Sequence, residues 1–355
     1  MKKLWVLLLS VCLGLGTLVA QDINTLKQQA QKGNAQAQFE LGLMYATGLG
    51  VPQDDAQAVK WLRLAADQGD AYAQYSLGEM YTNGQGVPQD YVQAVKWYRL
   101  AADQGNAGAQ NNLGVMYANG TGVPQDYAQA MKWTRLAADQ GFALAQYNLG
   151  NRYDIGQGIP QDYAQAVKWY RLAADQGDAY AQSNLGLMYS TGRGVPQDDV
   201  QALKWYRLSA DQGNEGGQYN LGLIYANGTG VPQDYAQAVK WYRLAADQGY
   251  AYAQSNLGVM YANGTGVPQD DVEAVKWYRL AADQGYASAQ LNLGTMYALS
   301  QGVPQDDVQA HKWLSLSAAQ GDANFAKMRD LVAKRMTPQQ IERAQELARN
   351  WKPKK

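Results

Sequence analysis

The chain repeats itself every 36 residues, and this period constrains its fold more than any other feature. Val-Pro-Gln-Asp recurs at this step from Val51 to Val303, with Ile159 heading one variant copy. A Trp recurs at the same step from Trp61 to Trp313, and eight copies fill residues 41–328. Because repeats of this kind bury their apolar faces against their neighbours, the period predicts a stacked array, not the two globular domains that 355 residues would otherwise suggest.

Each copy contains two helical patterns separated by turns. Helix A is predicted over about 106–119 in one copy, where the residues of one stripe recur at i, i+4 and i+8: Ala109, Leu113 and Tyr117. Helix B is predicted over about 90–104, because Asp90 is a good N-cap and Gly105 can adopt the left-handed conformation that ends a helix. The fold class predicted is therefore an all-α solenoid of 36-residue helix-turn-helix repeats.

A glycine stands inside helix A in all eight copies, for example at Gly78. A glycine in a helix interior costs about 1 kcal/mol relative to alanine. A cost repeated in every copy predicts the close approach of a neighbouring helix at this point. We expect the Trp of helix B, Trp97 in the same copy, to fill the space that the small residues leave.

The first twenty residues have the pattern of a signal peptide. Lys2 and Lys3 form a basic start, the apolar run Leu4–Val19 has the length of a signal core, and Ala20 precedes the predicted cleavage point. The sequence therefore predicts a periplasmic or secreted protein that has no membrane span after cleavage.

Both ends of the array depart from the repeat. Residues 21–40 are predicted to form an N-terminal capping segment and the first helix A. Residues 329–355 are predicted to form a C-terminal capping helix and a basic tail, in which residues 352–355 are expected to fray.

Composition argues against several classes of function. The whole chain has 1 Cys and 1 His, so no zinc, haem or iron–sulfur cluster is expected, and no cofactor. A net charge of −1 lacks the basic surface that nucleic-acid binding needs. The single imidazole, His311, stands where other copies have Val and is predicted to be a packing variant. The strict helical phase of the eight repeated Trp residues favours core packing over a carbohydrate platform.

The repeated motif resembles the Sel-one-like repeat family, a relative of the tetratricopeptide repeats. The resemblance rests on Leu-Gly-x-Met-Tyr-x-x-Gly-x-Gly-Val-Pro-Gln-Asp, followed by Ala-x-x-Trp and Ala-Ala-x-x-Gly, and covers about residues 25–351. It implies a right-handed superhelical solenoid that acts as an adaptor or scaffold for protein complexes. A cysteine-rich subset of that family is linked to penicillin binding and β-lactam hydrolysis, an activity not carried over because the paired cysteines are missing here.

Helix A residues outside the buried stripe are the candidate binding residues. In solenoids of this kind the A helices usually line the concave side, so these side chains are expected to form a groove that suits a peptide or extended segment. The candidates are Phe39, Leu43, Tyr75, Glu79, Asn111, Val115, Tyr147, Asn151, Arg152, Leu187, Tyr219 and Leu223.

Two copies depart from the pattern inside helix A. Arg152 stands where other copies have Met or Ile, which indicates either a contact with an acidic group or a tolerated change at an exposed position. Two adjacent glycines, Gly216 and Gly217, weaken one helix start, so residues 214–218 are predicted to be a flexing point.

These features predict a non-catalytic adaptor that binds a protein or peptide partner in the bacterial envelope or outside the cell. The alternative is a cell-wall module that binds peptidoglycan or another carbohydrate, which aromatic residues such as Tyr75, Tyr147 and Tyr219 motivate. A β-lactamase-like hydrolase is motivated only by the cysteine-rich relatives. Neither a nucleic-acid partner nor a metal is expected.

Overall fold

Helices account for all the regular secondary structure in the part of the chain that the structure describes, residues 23–321 and 323–354 of a computed structural model. The predicted signal peptide at 1–20 lies outside the described residues. The eight helices A are α2 (Ala35–Thr47), α4 (Ala71–Asn83), α6 (Ala107–Asn119), α8 (Ala143–Ile155), α10 (Ala179–Thr191), α12 (Glu215–Asn227), α14 (Ala251–Asn263) and α16 (Ala287–Leu299). The eight helices B are α3 (Asp55–Asp67), α5 (Tyr91–Asp103), α7 (Tyr127–Asp139), α9 (Tyr163–Asp175), α11 (Asp199–Asp211), α13 (Tyr235–Asp247), α15 (Asp271–Asp283) and α17 (Asp307–Ala318).

Three further helices flank the array: α1 (Ile23–Gln31) before it, and α18 (Ala323–Ala333) and α19 (Pro338–Arg349) after it. The predicted all-α arrangement of 36-residue helix-turn-helix repeats is confirmed. The chain divides into two compact units, one ending at Asp162 and the other beginning at Tyr163.

Local capping explains where the helices begin and end. The Asp90 carboxylate accepts a hydrogen bond from the Gln93 backbone N–H at 3.0 Å, which satisfies one of the free donors in the first turn of α5. Gly105 adopts the left-handed conformation after α5, with φ at 91°. The Asn106 side chain then accepts from the Ala109 N–H at 2.8 Å and starts α6. The bounds predicted for this copy are therefore right to within one residue at each end.

The core of each unit lies between successive helix pairs. In the first unit, Trp133 of α7 packs into a buried cluster with Val95 of α5 and Leu113 of α6. In the second, Trp277 of α15 packs in the same way against α13 and α14, for example against Leu257. The prediction that the repeated Trp residues belong to the core is confirmed for seven of the eight, whereas Trp61 in the first helix B is half-buried.

The helix-interior glycine has a packing reason, but the residue that fills the space is not the predicted Trp. A Cβ added at Gly78 of α4 would lie 2.6 Å from the Cδ1 atom of Tyr98 in α5. In the second unit Gly222 stands in the same relation to Tyr242. The residue after the Trp faces the glycine because helix B turns by about 100° per residue, so Trp97 is directed to the preceding helix pair.

Within each unit, a row of buried amides links neighbouring repeats. The Gln110 side chain donates to the Ala102 carbonyl at 3.1 Å and accepts from the Gln140 side chain at 2.7 Å. Gln254 makes the corresponding bonds in the second unit, to Ala246 and from Gln284. A buried amide that keeps its partners fixes the register between neighbours, because a shifted pairing would leave polar groups unsatisfied.

The C-terminal tail is held against the second unit, so the expectation that it frays is wrong for residues 352–354. Trp351 packs on Trp313 with the ring centroids 6.2 Å apart. The Lys354 ammonium lies 2.7 Å from the Asp283 carboxylate, and its backbone N–H donates to the Asp283 carbonyl at 2.8 Å.

Candidate functional site

Three of the predicted binding residues are buried and therefore do not present an accessible surface. Phe39 packs in the core of the first unit beside Tyr72, with the ring centroids 6.2 Å apart. Asn111 is only 1 % exposed, and its side-chain oxygen accepts from the Asn148 amide at 2.9 Å. These two side chains contribute to packing within the unit, although Tyr75, Tyr147 and Tyr219 at the same helix position are only half-buried.

Arg152, the third, contradicts both of its predicted interpretations. It is 5 % exposed, so it is not a tolerated surface change, and its guanidinium donates to the neutral Gln157 side chain, at 3.3 Å, not to an acid. Its Nε atom is buried and has no hydrogen-bond partner among the described residues. Burial lowers the pKa of the guanidinium, because the charged form is desolvated in the core position that Met occupies elsewhere.

Tyr75 and Glu79 form a polar cluster in the first unit. The Glu79 carboxylate accepts from the Tyr98 hydroxyl at 2.8 Å and from the Asn112 amide at 2.7 Å. The rings of Tyr75 and Tyr98 are 5.9 Å apart. Burial, followed by the Glu79 charge, raises the pKa of both phenols, so both remain neutral donors at physiological pH. The cluster therefore holds one half-buried carboxylate in a fixed position.

The remaining candidates lie at least partly on the surface of helices A. Leu187 in the second unit is 38 % exposed. Those that are half-buried are Leu43, Val115, Tyr147, Asn151, Tyr219 and Leu223. The binding role assigned to these residues remains a prediction.

Tyr219 belongs to an aromatic cluster in the second unit that sequence reasoning did not assemble. Its ring centroid lies 5.3 Å from that of Tyr250 and 6.0 Å from that of Tyr252. Tyr252 is 48 % exposed, and its ring lies 4.8 Å from that of Tyr286. Burial raises the pKa of Tyr219 to about 12, so its hydroxyl is neutral. We call these four residues the tyrosine cluster.

Two members of the tyrosine cluster occupy N-cap positions. Tyr250 precedes α14 and Tyr286 precedes α16, and neither side chain makes a capping hydrogen bond. Asn214, at the same position before α12, accepts from the Gly217 N–H at 2.8 Å. The sequence signal was therefore present: Tyr replaces the Asp or Asn that caps helix A in five other copies, and Phe142 leaves α8 without a side-chain cap in the same way.

The other special positions carry structural roles. His311 is buried, as predicted for a packing variant, and its Nδ1 atom lies 3.3 Å from the Ser315 hydroxyl. Burial, followed by the charge of Arg329, lowers the pKa of the imidazole. Asn214 caps α12 at the predicted flexing point, where the helix forms from Glu215 onward. In the described part of the chain, no three His, Cys, Asp or Glu side chains lie together in a way that could hold a metal ion.

Within residues 23–321 and 323–354, none of the helices has the length and apolar character needed to cross a membrane.

Comparison with known proteins places this geometry in a family. The Sel1 repeat model matches 35–70, 71–106, 107–142, 143–178, 179–214, 216–250, 251–286 and 287–322. A comparison with curated proteins gives no match.

Two solved structures are similar over most of the chain. A Sel1 repeat protein from Oxalobacter formigenes is 37% identical with a TM-score of 0.67, and the match covers 87% of this chain and 90% of that one. The protective antigen c5321 of uropathogenic Escherichia coli is 33% identical with a TM-score of 0.59, over 93% of this chain and 94% of that one. Eight consecutive matches to one family model show that the chain belongs to the Sel1 repeat family.

Proposed function

We propose that the chain is a non-catalytic protein-interaction scaffold that binds a peptide or protein segment along the helices A of its units. We further propose that it works in the bacterial envelope or outside the cell, which the basic and apolar pattern of residues 1–20 supports. The similarity to a protective antigen, said of the E. coli protein, is compatible with that location.

The observation that carries the proposal is a difference between the two exposed helix faces. Helix B presents an exposed Leu at one position in seven copies: Leu64, Leu100, Leu136, Leu172, Leu208, Leu244 and Leu280. The ninth position of helix A is also accessible, yet its chemistry changes between copies, as at Glu79, Val115 and Leu187. A repeated framework with one varied surface suits recognition of an extended partner, because each repeat can contact a different side chain.

Site-specific photo-crosslinking tests this proposal. A photoreactive p-benzoylphenylalanine replaces Leu187 or Leu223 on helices A, or Leu172 or Leu208 on helices B as matched controls from the same unit. We expect a discrete protein adduct in envelope extract from the helix A positions and none from the helix B positions. Equal adducts from both faces would contradict the proposed surface. Adducts with wall fragments alone would favour the carbohydrate-binding alternative.

A further inference from the structure

We propose that the tyrosine cluster of the second unit binds an arginine or lysine side chain of the partner, with Glu215 as the counter-charge. The inference rests on the proposed scaffold function and names the chemistry of the segment that this unit would recognise. A cation placed over the face of a tyrosine ring is attracted by the negative π surface, and neighbouring rings add to that attraction.

The cluster has the geometry for such a contact. Tyr250 and Tyr252 lie 5.5 Å apart between ring centroids, and each of them also packs beside Tyr219. Tyr286 extends the set to a fourth ring next to Tyr252. All four side chains retain contact with solvent, and Tyr252 is the most exposed of them, at 48 %.

At other tyrosines of the second unit, an arginine of the chain itself lies over the ring. In the second unit, the Arg243 guanidinium lies over the Tyr261 ring at 5.6 Å, and that of Arg279 lies over the Tyr297 ring at 5.8 Å. Each of these guanidinium groups also donates to the hydroxyl of the tyrosine that it covers. Over the described residues, no Lys or Arg lies on a ring of the tyrosine cluster. The cluster therefore offers the same acceptor surface without an internal occupant.

The charge at the Tyr219 and Tyr250 side of the cluster is complementary to a cation, whereas Lys354 pairs with Asp283 near Tyr286. Glu215 is the only charged residue in the helices A of the second unit, α10, α12, α14 and α16. It lies one helical turn before Tyr219 on the same face, and its charge contributes to the raised pKa of the Tyr250 phenol. The nearest charge before Tyr250 in the chain is the exposed Asp247, which is also acidic.

The chain gives up local stability to build this surface. Tyr250 and Tyr286 occupy two N-caps where Asp or Asn would satisfy a backbone donor, as Asn214 does before α12. Both tyrosine side chains are only half-buried, so their burial contributes less to stability than that of a core residue. Phe142 likewise leaves α8 without a side-chain cap, so a missing cap alone does not mark a site. Tyr250 and Tyr286 differ from it because both side chains enter one cluster of rings.

The test measures fluorescence anisotropy of short labelled Gly-Ser peptides that carry either two Arg, two Lys, two Gln or two Glu residues. We expect the Arg peptide to bind the full chain about tenfold more tightly than the Gln peptide, with Lys intermediate and Glu undetectable. The variant Tyr250→Asn with Tyr286→Asn should lose this preference. Asn restores the caps, so circular dichroism melting should show no loss of folding.

Two further variants separate the cluster from general effects. Glu215→Gln should weaken the Arg peptide by several fold and make its binding less sensitive to salt. Tyr72 of the first unit occupies the helix position that Tyr252 occupies in the second. Tyr72→Ala is therefore the matched control and should leave binding unchanged. Equal affinity for the Arg and Gln peptides would overturn the inference, as would displacement of the Arg peptide by soluble peptidoglycan fragments.

The outcomes also separate this inference from the proposed function. A protein adduct formed through Leu223 that survives Tyr250→Asn with Tyr286→Asn would overturn the role of the cluster and leave the scaffold function standing. The absence of any protein adduct from the helix A positions would overturn the scaffold function itself.

Discussion

Gly217 of α12 stands where the seven other copies have Ala, and its partner across the helix pair has changed with it. A Cβ added at Gly217 would lie 2.7 Å from the Cβ atom of Ser209 in α11 and 2.9 Å from the Ala210 backbone nitrogen. Ser209 is fully buried, and its hydroxyl donates to the Ala179 carbonyl at 2.7 Å. We therefore expect Gly217→Ala to be destabilising although alanine is the better helix former.

The magnitude follows from two opposed effects. Overpacking a rigid contact costs about 1–3 kcal/mol. Replacing a helix glycine by alanine gains about 1 kcal/mol. Since neither Ser209 nor the α11 backbone can move far inside a packed pair, the packing cost dominates, and the free energy of unfolding should fall by up to about 2 kcal/mol.

Gly216→Ala is the matched control. A Cβ at Gly216 would come no closer than 3.3 Å, to the Asn214 side-chain oxygen, so it meets only modest crowding. This substitution should raise the free energy of unfolding by up to about 1 kcal/mol. It also tests the predicted flexing point, because a stabler helix start should slow hydrogen exchange across residues 214–218.

Adding Ser209→Ala to Gly217→Ala should recover the loss. The double variant recreates the buried pair found elsewhere, as between Ala101 and Ala109. Ser209→Ala alone should cost about 1 kcal/mol, because the Ala179 carbonyl loses its donor. The two substitutions should therefore couple favourably by about 1–3 kcal/mol in a double-mutant cycle, which is the packing cost that Ser209→Ala relieves.

Urea denaturation followed by circular dichroism measures the free energy of unfolding of these four variants and of the unmodified chain. Because repeat arrays need not unfold in one step, hydrogen exchange on α12 localises the effect. An increase in stability from Gly217→Ala as large as that from Gly216→Ala would contradict the packing conflict with Ser209. Additive effects of the substitutions at 209 and 217 would contradict it as well.

Three further predictions concern buried polar groups. Arg152→Met should raise the free energy of unfolding by about 1–2 kcal/mol in urea titrations, because it removes a desolvated charge with an unpaired Nε, and a loss would show that Arg152 has a stabilising partner. The pKa of His311 is below its ordinary 6.5 in the folded state, so the unfolded chain takes up the proton first and stability should fall as the pH drops below 6.5. His311→Val should reduce that fall in thermal melts across pH, whereas an unchanged profile would point to other groups. Gln110→Leu should cost about 1–3 kcal/mol in denaturation, because Gln140 and the Ala102 carbonyl lose a buried partner, and a neutral result would mean that water replaces it.

The helix pattern could be predicted closely because its determinants are local. Asp90 and Gly105 act on residues within one turn of themselves, so a single copy of the sequence suffices to place the ends of α5. The period then extends that result to every copy, and the family model confirms the repeats between 35 and 322.

The candidate surface was predicted less well because burial depends on the neighbouring helix pair. Phe39, Asn111 and Arg152 share the helix with accessible residues, yet they turn toward the packed side. A sequence pattern with apolar residues on most of the helix gives little indication of which face meets a neighbour and which meets solvent.

The sequence alone determined the fold class, the repeat length and the family, since these follow from periodic residues and caps that act over a few positions. Only the tertiary structure decided that Tyr98 and not Trp97 meets Gly78, and that Gln110 pairs with Gln140. It also brought Tyr219 together with tyrosines from the two following repeats. The reason is physical: these contacts join residues 20 to 34 positions apart in the chain, and the angle between packed helices, which no local propensity encodes, selects which of them meet.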